Sequence, residues 1–269
     1  MPSIATRRYF TATLLLSASL FSAPSRADLQ FHWQDGFDAA TQAMVRDWLS
    51  ESFAALEAHV GTLPLPVHVH IHRKAPADEP VPWAQTRRGK PQGADFYIDP
   101  RFSLQAFRSD WTAAHEFSHL VLPYLGSRHA WFAEGFASYM QYQVMQTKGV
   151  LNAAEVESRY QSQIARAQRN YRRHNISFIE AVPQLRAEGR YPTMYWGGAV
   201  YFRRVDAALR DHGRSLQGVL SQYLQCCRRN HDELDSLIDT LDTLAGRPVF
   251  RQEYARMRHT QGFPKDVPR

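Results

Sequence analysis

Residues 111–139 read WTAAHEFSHLVLPYLGSRHAWFAEGFASY, and the rest of the chain is arranged around them. Residues four apart share a helix face, so His115 and His119 present two imidazole nitrogens to one point. Glu116 follows the first His by one position and falls beside that point, not on it. The flanking Thr112-Ala113-Ala114 and Leu120-Val121-Leu122 make a mostly apolar helix, where an unpaired polar trio would carry a desolvation cost. Pro123 and Gly126 end that helix, and a second one begins near Trp131 carrying Glu134. Helix, turn and returning helix bring Glu134 back towards the two His. Two nitrogens and a carboxylate, with one position left open, suit a single zinc ion. Glu116 can then take a proton from water, whose pKa the metal lowers to about 7.

HEFSH at 115–119 followed by WFAEGFASY at 131–139 resembles the gluzincin peptidases, the thermolysin and aminopeptidase kind. Their third zinc ligand is a Glu on the next helix. The run Glu-Gly-x-Ala-x-Tyr, from Glu134 to Tyr139, is similar to the aminopeptidase branch and to small bacterial peptidase MA-like proteins. The resemblance implies a zinc metallopeptidase with His115, His119 and Glu134 as metal ligands and Glu116 as the group that activates water. The chain departs from the pattern in two places. Residues 120–133 make a shorter insert than in the best-known members, and Ser138 stands where thermolysin-like enzymes place an Asp that supports a His ligand.

A second segment carries the same resemblance. Tyr-x-x-Gly-Ala, Tyr195 to Ala199, is similar to the stretch that supplies a tyrosine to the oxyanion in aminopeptidase-type gluzincins, with Gly197 in place of its Lys. The resemblance implies Tyr195 as the donor, with Tyr191 and Tyr201 as alternatives. The other reading of Tyr195 is a core tyrosine at a helix start.

Outward from these segments, residues 1–27 read as an export signal: Arg7 and Arg8, an apolar run over 9–23, and a small-residue cleavage site at Ser25-Arg26-Ala27. Thr6-Arg7-Arg8-Tyr9-Phe10 also resembles a twin-arginine signal. The apolar run is too short to span a bilayer comfortably, and no later segment is longer, so no stable membrane insertion is expected. The expected location is periplasmic or secreted. The full chain has 32 basic and 26 acidic side chains; without the three Arg of the signal the balance is 29 to 26, or +3. Runs such as Arg87-Arg88 and Arg172-Arg173 therefore read as solvated faces, and no nucleic-acid partner is expected. Cys226 and Cys227 are adjacent, imply no disulfide framework, and read as one buried and one exposed thiol on a helix.

Residues 28–110 alternate between strand and helix patterns. Strands are expected over 29–33, 67–72 and 94–98, and a helix over 37–59 with Val45, Trp48, Leu49, Phe53 and Leu56 on its inner face. His68, His70 and His72 share one strand face, which reads as a wet face in preference to a metal site. The Pro- and Arg-rich stretch 75–92 reads as a loop. In gluzincins the strand before the active helix is a sheet edge that pairs with substrate, and the resemblance would give that part to Asp95–Tyr97. After Tyr139 the chain is helical, with starts signalled by Asn152/Glu155 and Ser215 and stops at Gly189, Gly213 and Gly246.

The expected fold class is α+β: a small sheet-bearing N-terminal lobe over 28–110, then the zinc helix and a helical C-terminal lobe over 111–269, together forming one peptidase-like unit. The expected function is an exported zinc-dependent peptidase acting on a peptide or protein substrate. The alternative is a non-catalytic, zinc-stabilised binding or assembly protein on the same scaffold. Oligomeric state and cleavage specificity leave no trace in the sequence.

Overall fold

A computed structural model describes residues 28–228 and 233–267; the export segment read at 1–27 lies outside them. The N-terminal strands are β1 (Leu29–Trp33), β2 (Val67–Arg73), β3 (Trp83–Arg87) and β4 (Gly93–Ile98), in the order β1-β2-β4-β3. β1, β2 and β4 are parallel, and β3 runs antiparallel along β4. Between β1 and β2 the chain crosses over through α1 (Ala39–Val60), started by the Asp38 carboxylate accepting from Thr41 N at 2.7 Å and stopped at Gly61. Gly61 has a φ of +97°, which L side chains rarely adopt.

One finding corrects the sequence reading of the sheet. The stretch 75–92 is not a loop throughout, because Trp83–Arg87 pairs with β4 and forms the sheet's outer edge. β4 is therefore an interior strand, flanked by β2 and β3, and Asp95–Tyr97 has no free edge to offer. The misreading has a physical cause. Gln85 and Arg87 point to the outer face, where both bond Asp95, so the strand lacks the apolar alternation of a buried one.

α1 packs its expected face under the sheet. Trp48 meets Phe96 of β4 edge-on at 5.6 Å, and Phe53 and Phe96 both meet Phe117 at 5.3 and 5.7 Å. All four rings are buried, each contributing about 1.5–3 kcal/mol of transfer free energy. Phe117 lies on α3 (Thr112–Ser118), reached through the short α2 (Leu104–Ser109), which has no signal in the sequence reading. Residues two apart on a helix point to nearly opposite sides, so anchoring Phe117 in the core turns His115 and His119 the other way.

α3 is shorter than expected, since the helix stops at Ser118 instead of running to Leu122. Leu120 N and Val121 N bond back to Phe117 O and Ser118 O, tightening the last turn. The residue before Pro123 is disfavoured in the α conformation, so the helix cannot continue through Leu122.

The C-terminal lobe is helical as expected. α4 (Ala130–Thr147) is buried nearly all round and is crossed by α7 (Tyr191–Arg210). Between them run α5 (Ala153–Asn170) and α6 (Phe178–Ala187), both opened by capping boxes, Asn152/Glu155 and Ser177/Glu180. α8 (Leu216–Cys226) starts at the Ser215 cap, and α9 (Leu234–Ala245) ends at Gly246 with φ +69°. α10 (Val249–His259), which the sequence reading did not anticipate, returns so that the Phe250 carbonyl accepts from the Tyr201 hydroxyl at 3.1 Å. Cys226 and Cys227 are bonded to each other, a correction to the reading of two free thiols. One apolar core joins both lobes, from Val67 of β2 through α4 and α7 to Phe250.

Candidate metal centre

α3 supplies His115 and His119, and α4 brings Glu134 against them. Glu134 Oε2 lies 3.4 Å from His115 Nε2 and 3.3 Å from His119 Nε2. Zinc–ligand bonds of about 2.0–2.1 Å make the edge of a tetrahedron about 3.3 Å. A charge-assisted hydrogen bond would sit nearer 2.7–2.9 Å, so these separations suit ligands sharing a metal. The three donor atoms lie within 4.8 Å of one another, and no other such cluster of three occurs among the described residues. Burial would raise the Glu134 carboxyl, but hydrogen bonds and charge from His115 and His119 outweigh it and hold it well below the usual carboxylate range. Burial would lower the His115 imidazole, and the neighbouring Glu134 and Glu116 overcome that and raise it. A carboxylate oxygen beside two imidazole nitrogens is the donor set of a divalent cation.

His115 is held from behind. Gln141, one turn past Ser138 on α4, places its Oε1 2.9 Å from His115 Nδ1. An amide oxygen can only accept, so the proton belongs on Nδ1 and Nε2 is left free to bind a metal. Glu134, Ser138 and Gln141 fall at i, i+4 and i+7 on one helix face, and that spacing is the signal by which sequence reasoning could have found Gln141.

Glu116 is buried and stays outside the cluster. The Thr86 hydroxyl of β3 bonds its Oε2 at 2.7 Å and its backbone carbonyl at 3.1 Å. Thr86 was missed because its strand was missed. Both residues line a cleft of about 480 Å³ running between β3 and α3, together with His115, His119, Glu134 and Tyr195. Exposed aromatic side chains gather here: Trp83 and Trp111 line the cleft, and Tyr191 lies 6.4 Å from Tyr195. Arg88 reaches to 3.5 Å from His119 Nδ1, its guanidinium over the Tyr124 ring at 4.2 Å.

Tyr195 is half-buried at the N-terminal end of α7, its ring 6.3 Å from that of His115. Its hydroxyl makes no hydrogen bond among the described residues. Burial, with the Glu134 and Glu116 charges, pushes the phenol well above its ordinary value, so it stays a proton donor. Of the alternatives, Tyr201 is buried and spends its hydroxyl on Phe250, while Tyr191 is exposed. Gly197, where the resemblance expected Lys, has no room for a side chain: a Cβ there would lie 2.2 Å from the Phe178 ring. The strand histidines lie outside the cluster of His115, His119 and Glu134. His32 Nε2 bonds His68 Nδ1 at 2.9 Å and His72 lies 3.7 Å from Asp95, on the outer sheet face.

Residues 124–222 match the family model of the M61 glycyl aminopeptidases, a stretch that holds Glu134 and Tyr195 but begins after His119. An M1 zinc metallopeptidase from Deinococcus radiodurans superposes with a TM-score of 0.56 at 14% identity, covering 90% of this chain and 52% of that one. The fold is that of this M1 zinc metallopeptidase, and His115, His119 and Glu134 stand together as a possible metal site. A mutant M1 zinc metallopeptidase from the same organism, bound to a Tyr-Ser-Ala substrate, gives a TM-score of 0.54 at 14% identity over 87% of this chain and 49% of its own. A two-domain M1 zinc metallopeptidase mutant bound to L-arginine gives 0.55 at 13%, over 91% and 52%. The chain therefore spans about half the length of the solved structures it matches. No curated protein sequence matches it significantly.

Proposed function

We propose that the chain is an exported zinc-dependent peptidase in which His115, His119 and Glu134 hold the metal. The observation that carries the reading is Glu116, a carboxylate tied to Thr86, lying beside the three ligands and lining the open cleft. Zinc bound there supplies a Lewis acid and acidifies water at neutral pH. Glu116 accepts the proton of the attacking water and delivers it to the departing amine. The Tyr195 hydroxyl donates to the carbonyl oxygen as it gains negative charge. The outer edge of β3 offers backbone donors and acceptors to an extended peptide, replacing the role first expected of 95–97.

The test is cleavage of a peptide library by the zinc-loaded protein. Wild type should cut, and Glu116→Gln should keep its zinc and its fold yet lose about 10²–10⁴-fold in rate. A wild type that binds zinc and cuts nothing would favour the zinc-stabilised scaffold. Export rests on the charged start, the apolar run and the small-residue site before Asp28. Protein recovered from its host should begin near Asp28, and an intact Met1 in the cytoplasm counts against export.

A further inference from the structure

A second cavity, of about 530 Å³, adjoins the metal cleft and shares Trp111, His115 and Tyr195 with it. Its chemistry is the opposite. The metal cleft is lined by Glu79, Glu116 and Glu134, whereas the second cavity is lined by Arg159, Arg166 and Arg190 and by no carboxylate. Arg159, Gln163, Arg166 and Asn170 stand at i, i+4, i+7 and i+11 of α5, so one whole polar face of that helix forms the wall. Arg190 is occupied by Glu188 at 2.9 Å and by the Asn170 carbonyl. Arg166 and Arg159 have no ion-pair partner among the described residues; Arg159 meets Tyr142, its guanidinium 5.8 Å from the ring and interacting with the hydroxyl.

Two features of the opposite wall point the same way. Thr193, only 4% exposed, lines the cavity, and its hydroxyl makes no hydrogen bond among the described residues. It sits in the first turn of α7, a helix of 20 residues whose positive dipole end has no side-chain cap. An unspent hydroxyl on a buried threonine, guanidinium groups without a carboxylate partner and a helix N-terminus form an acceptor-seeking pocket beside the reacting centre.

We propose that this cavity binds a carboxylate of the substrate, either an acidic side chain or a free C-terminus, and so selects the peptides that reach the metal cleft. The proposal rests on the peptidase reading above. Arg88, the cation of the metal cleft itself, faces Glu134 and Glu116 and is a poorer host for an anion.

The experiment uses the zinc-loaded protein and peptides carrying Glu, Gln or Lys at each position around the cleaved bond, each with a free or an amidated C-terminus. At one position Glu should exceed Gln in kcat/KM by about 10–100-fold, as for a charge-assisted hydrogen-bonded pair. If the gain follows the free C-terminus and vanishes on amidation, the terminal carboxylate is the ligand; if it follows Glu, the side chain is. Arg166→Glu lies on an exposed helix position and should fold; it should invert the preference towards Lys. Cleavage with less than twofold discrimination by charge, or a preference that Arg166→Glu leaves in place, overturns the carboxylate site while the peptidase reading stands. If wild type cuts no peptide, calorimetric titration with Ala-Glu-Ala and Ala-Gln-Ala decides. Tighter binding of Ala-Glu-Ala that Arg166→Glu removes supports the site, and equal or absent binding of both peptides overturns it.

Discussion

Gly135 of α4 and Gly198 of α7 meet backbone to backbone. A Cβ on Gly198 would lie 2.1 Å from the Trp131 carbonyl oxygen, and one on Gly135 would lie 2.3 Å from the Gly198 carbonyl carbon. No side chain separates the two helices at this crossing, so Glu134, next to Gly135, and Tyr195, one turn before Gly198, open onto the same cleft. Small residues at a helix crossing permit such an approach, and any addition there must push the backbones apart.

Gly198→Ala should accordingly destabilise the fold by about 1–3 kcal/mol, the usual cost of overpacking. It should also lower kcat by more than the unfolded fraction explains, because Tyr195 moves with α7. Thermal melting and turnover per folded molecule measure the two effects, and a variant normal in both would show that the crossing tolerates a methyl group.

His115→Ala, His119→Ala and Glu134→Ala should each abolish binding of the single zinc. Gln141→Ala should weaken it by about 10–100-fold, as loss of a ligand's supporting hydrogen bond does. Gln141→Glu keeps an acceptor facing Nδ1 and should retain most of the affinity. Competition with a chelator reads out all five variants, and unchanged zinc in His115→Ala would remove the site.

Thr86→Val deletes one hydroxyl from the cleft at constant shape. The carboxylate of Glu116 then loses its 2.7 Å donor, and kcat should fall by about tenfold with zinc content and KM nearly unchanged. Thr86→Ser restores a hydroxyl and should recover most of the rate. Equal activity in wild type and the Val variant would show that Glu116 is positioned by other means.

Tyr195→Phe removes only a phenol oxygen that has no hydrogen-bond partner among the described residues. A donor to the developing oxyanion is typically worth about 10²–10³ in kcat, so turnover should drop by that factor while stability and zinc content hold. A tyrosine serving only as packing would show normal turnover in the Phe variant, and that result would leave the oxyanion without an assigned donor.

The sequence by itself determined whatever depends on residues close together in the chain. The i, i+4 pair His115/His119, the placement of Glu134 on the returning helix, the Asn152/Glu155 and Ser215 caps and the Gly246 stop are all local. Helical periodicity and side-chain-to-backbone hydrogen bonds act within a turn, and a linear reading captures them. Tertiary structure decided the rest. Trp83–Arg87 is a strand only because β4 offers it an open edge and Asp95 takes up Gln85 and Arg87. Thr86 reaches Glu116 across 30 positions of sequence, and Gln141 reaches His115 across 26. Gly197 and Gly198 carry no local signal for the Phe178 ring and the Trp131 carbonyl that exclude a side chain from them. Contacts of this kind are set by which surfaces the folded core presses together, and no periodicity along the chain records that choice.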